Sequence, residues 1–121
     1  TPLILETLLG VSLSELGFAS DLCIWSYQEG MAKPAAFLFE KLQQRLLKYN
    51  ISPQEVLYVG NDMLKDIWPA ACMGWNTALF AGDKRSLRWR KGDERVAGIK
   101  PHVVISDFYN FCRVCSSIFV L

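Results

Sequence analysis

The sequence predicts an α/β fold built on a mainly parallel sheet, and three observations predict it. Short apolar runs of strand length alternate with stretches whose apolar residues recur at helical spacing. Glycine or proline punctuates most of the junctions between them. Polar and acidic side chains gather directly after one of the apolar runs, at the edge where open α/β sheets bind ligands.

The elements follow in order. Residues 2–9 are apolar enough for a helix and stop at Gly10, and residues 12–16 suit a short helical turn before Gly17. Residues 22–25, Leu-Cys-Ile-Trp, form a continuous apolar run, the pattern of a strand buried on both faces. Pro34 suits a first helical turn, and Phe39, Leu42 and Leu46, widened by Ala35, Leu38 and Tyr49, mark a helix reaching to about residue 49. Ser52-Pro53-Gln54-Glu55 has the form of a capping box and predicts a single turn leading into a strand at 56–59. Residues 61–65 are expected to form a loop and the start of a helix that residues 66–73 continue to Gly74. Strands are expected at 77–80 and 102–105, and a last helix from Asp107 toward Ile118. Such alternation is the pattern of βαβ units.

Composition narrows the function classes. At 51% hydrophobic residues, the 121-residue chain has the means to build a core and is no disordered segment. A net charge of +1 gives no general reason to expect nucleic acid or an acidic membrane as partner. No apolar run approaches the roughly 20 residues that span a bilayer. Cys23 and Cys72 fall in apolar segments, and the pair Cys112/Cys115 lies on the last expected helix with no second ligand pair, so packing explains it better than a metal or redox centre. A reducing, cytoplasmic setting is the expectation. The start at Thr1-Pro2, without methionine, reads as a cut rather than a natural beginning.

The chemistry concentrates at strand ends. Asn61, Asp62 and Asp66 follow Gly60 at the carboxyl end of the expected strand 56–59. Two carboxylates and an amide are suitable oxygen donors for Mg²⁺, which takes few protein ligands and keeps several waters. The same residues would equally cap a helix and complement its dipole, and spacing alone favours that reading. Lys33, in a loop before a helix, is placed to reach an anion at a sheet edge.

Together these stretches resemble the haloacid dehalogenase (HAD) superfamily, specifically its phosphatase-like members. Glu29-Gly-Met-Ala-Lys-Pro-Ala-Ala-Phe-Leu-Phe39 is similar to the third motif of that family, and Tyr58-Val-Gly-Asn-Asp-Met-Leu-Lys-Asp-Ile67 to the fourth. The resemblance implies a three-layer Rossmann-like core, here incomplete: residues 1–121 would be the C-terminal part of one core domain, without the cap and the N-terminal strands. It implies Mg²⁺ as cofactor and a small phosphorylated metabolite as substrate, with no nucleic-acid or membrane partner. Hydrolysis in the family runs through an aspartyl-phosphate on a nucleophilic aspartate. Lys33 would take the catalytic role of offsetting the crowded negative charge, and the fourth-motif residues Asn61, Asp62 and Asp66 would hold the metal.

The sequence departs from the family pattern twice. The family places aspartate directly after the glycine, where this chain has Asn61; either Asp62 takes the metal position or Asn61 coordinates through its neutral carbonyl. Nothing before Leu22 offers an aspartate-x-aspartate strand, since the only acids there are Glu6, Glu15 and Asp21. The nucleophile is therefore expected outside this chain, and exposed sheet edges could favour self-association and marginal stability. A non-catalytic relic or interaction module is the alternative from a different class. A 2-haloacid dehalogenase ranks lower, because its fourth-motif region is usually serine-rich.

One stretch stands apart. Residues 83–100 carry seven basic residues against three acidic ones, with Trp89 among them. This pattern fits either a polyanion contact or a solvated connection between the last two strands, and a solvated connection is the more ordinary explanation.

Overall fold

The computed structural model describes residues 2–118, so Thr1 lies outside the described residues. The chain divides into two compact units, Thr1–Ser52 and Pro53–Leu121.

The first unit is helical. Helix α1 (Pro2–Leu9) buries no side chain, and Leu3 and Leu8 are the most exposed of its large apolar residues. A turn follows, in which the Leu16 N–H donates to the Ser12 carbonyl and Phe18 to Leu13. The strand expected at 22–25 does not form. Ser20–Leu22 is a 3₁₀ turn, and Cys23 and Trp25 are extended without pairing to any strand among the described residues. Extended backbone becomes a strand only through a ladder. Here Arg45 Nη1 donates to the Asp21 and Cys23 carbonyls instead, at 2.7 and 3.2 Å. Short helix α2 (Ser26–Glu29) ends at Gly30 in the left-handed conformation. Helix α3 (Ala36–Lys48) starts two residues beyond Pro34, because Ala35 is non-helical, and it buries Leu38, Phe39 and Leu46. Its Lys41 pairs with Glu29 at 2.5 Å.

The second unit is a parallel α/β layer. A 3₁₀ turn (Pro53–Glu55) leads into β1 (Leu57–Gly60), followed by a π-helical turn (Met63–Ile67), α4 (Trp68–Cys72), β2 (Asn76–Phe80), β3 (Val103–Ile105) and α5 (Phe108–Ile118). The strand order is β1-β2-β3, all parallel, with Val59 opposite Ala78 and Leu79 opposite Val104. Central strand β2 buries Thr77, Ala78 and Leu79 completely, as expected of a strand covered on both faces. His102 clips the start of β3 to β2: its Nδ1 accepts the Thr77 N–H at 3.1 Å, and its own N–H donates to Thr77 Oγ1.

The core of this unit brings together Met63, Leu64, Ile67, Leu79 and Val96, with Trp68, Leu87 and Ile99 against it. Three of these eight, Leu87, Val96 and Ile99, come from the basic stretch 83–100. These three side chains tie the stretch to the core, while most of its residues, including every basic one except Arg90, are exposed. Leu79 is fully buried at the middle of the sheet and of this cluster. Its replacement by alanine is expected to cost about 3 kcal/mol; urea unfolding of Leu79→Ala beside the unsubstituted chain measures this, and a loss below about 1 kcal/mol would show the core is not packed as described.

Candidate active-site loop

The loop after β1 is shaped by two departures from regular structure. The first is a change of partner. Beyond Gly60 the chain leaves β2 and bridges in parallel to Arg88: the Arg88 N–H donates to the Asn61 carbonyl and the Met63 N–H to the Arg88 carbonyl, both at 2.9 Å. The second is the π-helical turn, in which the Asp62 carbonyl accepts from both Asp66 and Ile67. Single π turns inside helices are often found at functional sites.

These departures set three side chains at the carboxyl end of β1. Asp66 is 2% exposed, and its Oδ2 accepts the N–H groups of Asn61 and Asp62, each at 3.1 Å. Gly60 makes this approach feasible. A Cβ on residue 60 would lie 2.3 Å from Asp66 Cβ and 2.6 Å from its Oδ2, so any larger residue would displace the carboxylate. The Asn61 side-chain amide donates to the Ser86 carbonyl at 2.8 Å, which fixes the amide plane; no hydrogen bond to its Oδ1 occurs among the described residues.

Asp62 is engaged on both oxygens. Oδ1 accepts from the Leu64 and Lys65 N–H groups at 2.9 and 3.1 Å, making Asp62 the N-cap of the π turn. Arg90 clasps the same carboxylate through Nε, at 3.1 and 3.2 Å, and through Nη2, at 2.5 Å. Burial by itself would raise the Asp62 pKa. The Arg90 hydrogen bonds, the Lys65 and Leu64 N–H groups and the guanidinium charge outweigh it and bring the value to about 2, from 3.8. Helix capping and metal binding were both open for these residues on sequence grounds. In the structure, Asp62 caps.

The Asp62 carboxylate is taken up by the two cap N–H groups and the Arg90 fork, while Asn61 Oδ1 and the Asp66 carboxylate are oxygens of the kind that hard divalent cations take as ligands. Among the described residues, no three His, Cys, Asp or Glu side chains converge as a metal cluster. Lys33 belongs to the first unit, exposed in the loop before α3. Arg90 is the site residue that sequence reasoning missed. In the sequence it is one of the seven basic residues of the run 83–100. The apolar residues interleaved there, Leu87, Val96 and Ile99, were the signal that the run packs inward.

Residues 30–111, two thirds of the chain, match the HAD-hydrolase-like family. The chain belongs to that family. The matched region covers α3, β1, the acidic loop, β2 and β3. An uncharacterized hydrolase of Schizosaccharomyces pombe is 32% identical over 59 residues, which are 46% of this chain and 26% of that protein. Among solved structures, the HAD-hydrolase YfnB of Bacillus subtilis, described as bound to magnesium, superposes with a TM-score of 0.55 at 19% identity, over 74% of this chain and 35% of that one. A 2-haloacid dehalogenase of Pseudomonas syringae pv. tomato gives a TM-score of 0.52 at 16% identity, over 76% of this chain and 35% of that one. At these identities the two structures establish the fold. The chain spans about a third of the length of the solved HAD-like structures it matches. No helix among the described residues is long and apolar enough to cross a membrane.

The sign of the Asp62 shift fixes a pH window. A carboxylate whose folded pKa is depressed adds stability above its unfolded value, and that stability is lost as pH falls toward the folded one. Stability from this group is therefore complete above about pH 4 and drains away toward pH 2. Urea midpoints for the chain and Arg90→Met should differ at pH 6 and converge only as pH falls to about 2 and below; a gap that stays constant with pH would show that the two side chains are not paired.

Proposed function

We propose that this HAD-like chain supplies the metal-binding half of a Mg²⁺-dependent phosphomonoester hydrolase. One observation carries the reading: an amide oxygen and a buried carboxylate, Asn61 and Asp66, stand at the carboxyl end of a parallel strand, in a loop whose backbone is fixed from both sides. Magnesium at these donors would neutralise the transferring phosphoryl group and orient it. Asn61 and Asp66 would then hold the ion, with water filling the remaining positions. Gly60 keeps space for the Asp66 carboxylate at the strand end. Lys33, at the third-motif position, would offset the charge of a small phosphorylated substrate.

The chain contains no aspartate-x-aspartate sequence, so the nucleophile in this reading comes from residues outside it. That same absence favours a second reading, a HAD-fold module that binds without catalysing. Asn61 in place of a charged ligand adds to it, because one unit of negative charge is lost from the metal site.

Hydrolysis of p-nitrophenyl phosphate, with and without Mg²⁺, separates the two. The chain alone is expected to be inactive. A longer form carrying an aspartate-x-aspartate strand should be active only with Mg²⁺, and Asp66→Ala should reduce that activity by about 100-fold or more. Full activity of Asp66→Ala, or activity indifferent to Mg²⁺, would overturn the proposal.

A further inference from the structure

The segment 86–90 touches the acidic loop at three successive residues, Asn61, Asp62 and Met63. The Ser86 carbonyl holds the Asn61 amide, the Arg88 backbone bridges Asn61 and Met63, and the Arg90 guanidinium holds Asp62. The segment is itself anchored. Leu87 packs on the Met63/Leu64/Ile67 cluster, Val96 and Ile99 join the same cluster further along, and Arg95 lies over the Trp68 ring at 5.7 Å. Arg90 has φ +56°, a left-handed backbone that an arginine adopts only when its surroundings over-determine it. Glycine would reach that conformation without strain but would lose the fork that clasps Asp62.

We infer that residues 86–90 are a brace that sets the geometry of the acidic loop, with Arg90 as a positioning residue for the metal site. By clasping Asp62, Arg90 keeps that carboxylate at the helix start and leaves Asn61 and Asp66 as the donors presented to a divalent cation. This rests on the Mg²⁺ reading for its functional meaning, while the brace itself stands on the contacts just described.

The test uses amide hydrogen exchange and Mn²⁺ line broadening on the chain and on Arg90→Met and Arg90→Lys. In Arg90→Met the amides of Leu64 and Lys65 should exchange at least about 10-fold faster, while Ala78 and Leu79 in β2 keep their rates. Arg90→Lys, which restores charge without the fork, should recover part of this protection. Loop amides unchanged in Arg90→Met, or loop and β2 amides accelerated together, would overturn the brace. In the second arm, Mn²⁺ should broaden the Asn61 signals of the unsubstituted chain, and Arg90→Met should weaken its binding by about 10-fold, with partial recovery in Arg90→Lys. Equal Mn²⁺ affinity in all three would overturn the positioning role. Absence of broadening in the unsubstituted chain would remove the metal reading, and exchange alone would then decide the brace.

Discussion

Asp62 is held from two directions at once, and the loop after β1 keeps its shape because of it. From below, its carboxylate accepts two N–H groups at the start of the π turn; from the side, it receives the Arg90 fork. A side-chain cap is worth about 1 kcal/mol by itself. The ion pair is intermediate in kind, since Asp62 is buried while about a third of the Arg90 side chain remains exposed. It therefore belongs above the roughly 0.2–1 kcal/mol of a surface pair and below the 3–5 kcal/mol lost when one partner of a fully buried pair is removed. The two contributions share one carboxylate, so they fail together. The Asn61 side-chain amide is in turn held by the Ser86 carbonyl of the same brace.

This arrangement divides labour among residues that look interchangeable in sequence. Asp62 and Asp66 are both buried acids four residues apart, yet one closes the π turn against Arg90 and the other folds back onto the strand end beneath Gly60. The division follows from the π turn, where the Asp62 carbonyl serves two donors and the Asp66 carboxylate returns to the Asn61 and Asp62 amides. The loop thus draws its rigidity from both acids, one through the Arg90 fork and the other through the strand-end amides.

The parallel strands and the helix α3 were legible in the sequence, because a buried parallel strand and an amphipathic helix each leave a local pattern. Val59, Ala78 and Val104 lie in strands within one residue of the expected boundaries. The acidic loop was legible as a location at the end of β1. Its internal roles were not, because they depend on Arg90, 28 residues away, and no local pattern encodes that contact. The expected strand at 22–25 failed for a related reason. Its composition was right, but a ladder requires a neighbour, and the Cys23 carbonyl is bonded by Arg45 instead. The helix expected to start within 61–65 and continue over 66–73 resolved into a π turn and a short α-helix, a distinction that hydrophobic spacing does not report.

The central claim is that Asp62 and Arg90 act as one unit in fixing this loop. A double-mutant cycle with Asp62→Asn, Arg90→Met and the double variant, read by urea unfolding at pH 7, measures it most directly. The two substitutions should be strongly non-additive, with a coupling energy of about 1–2 kcal/mol. Additive losses, with coupling below about 0.3 kcal/mol, would contradict the account.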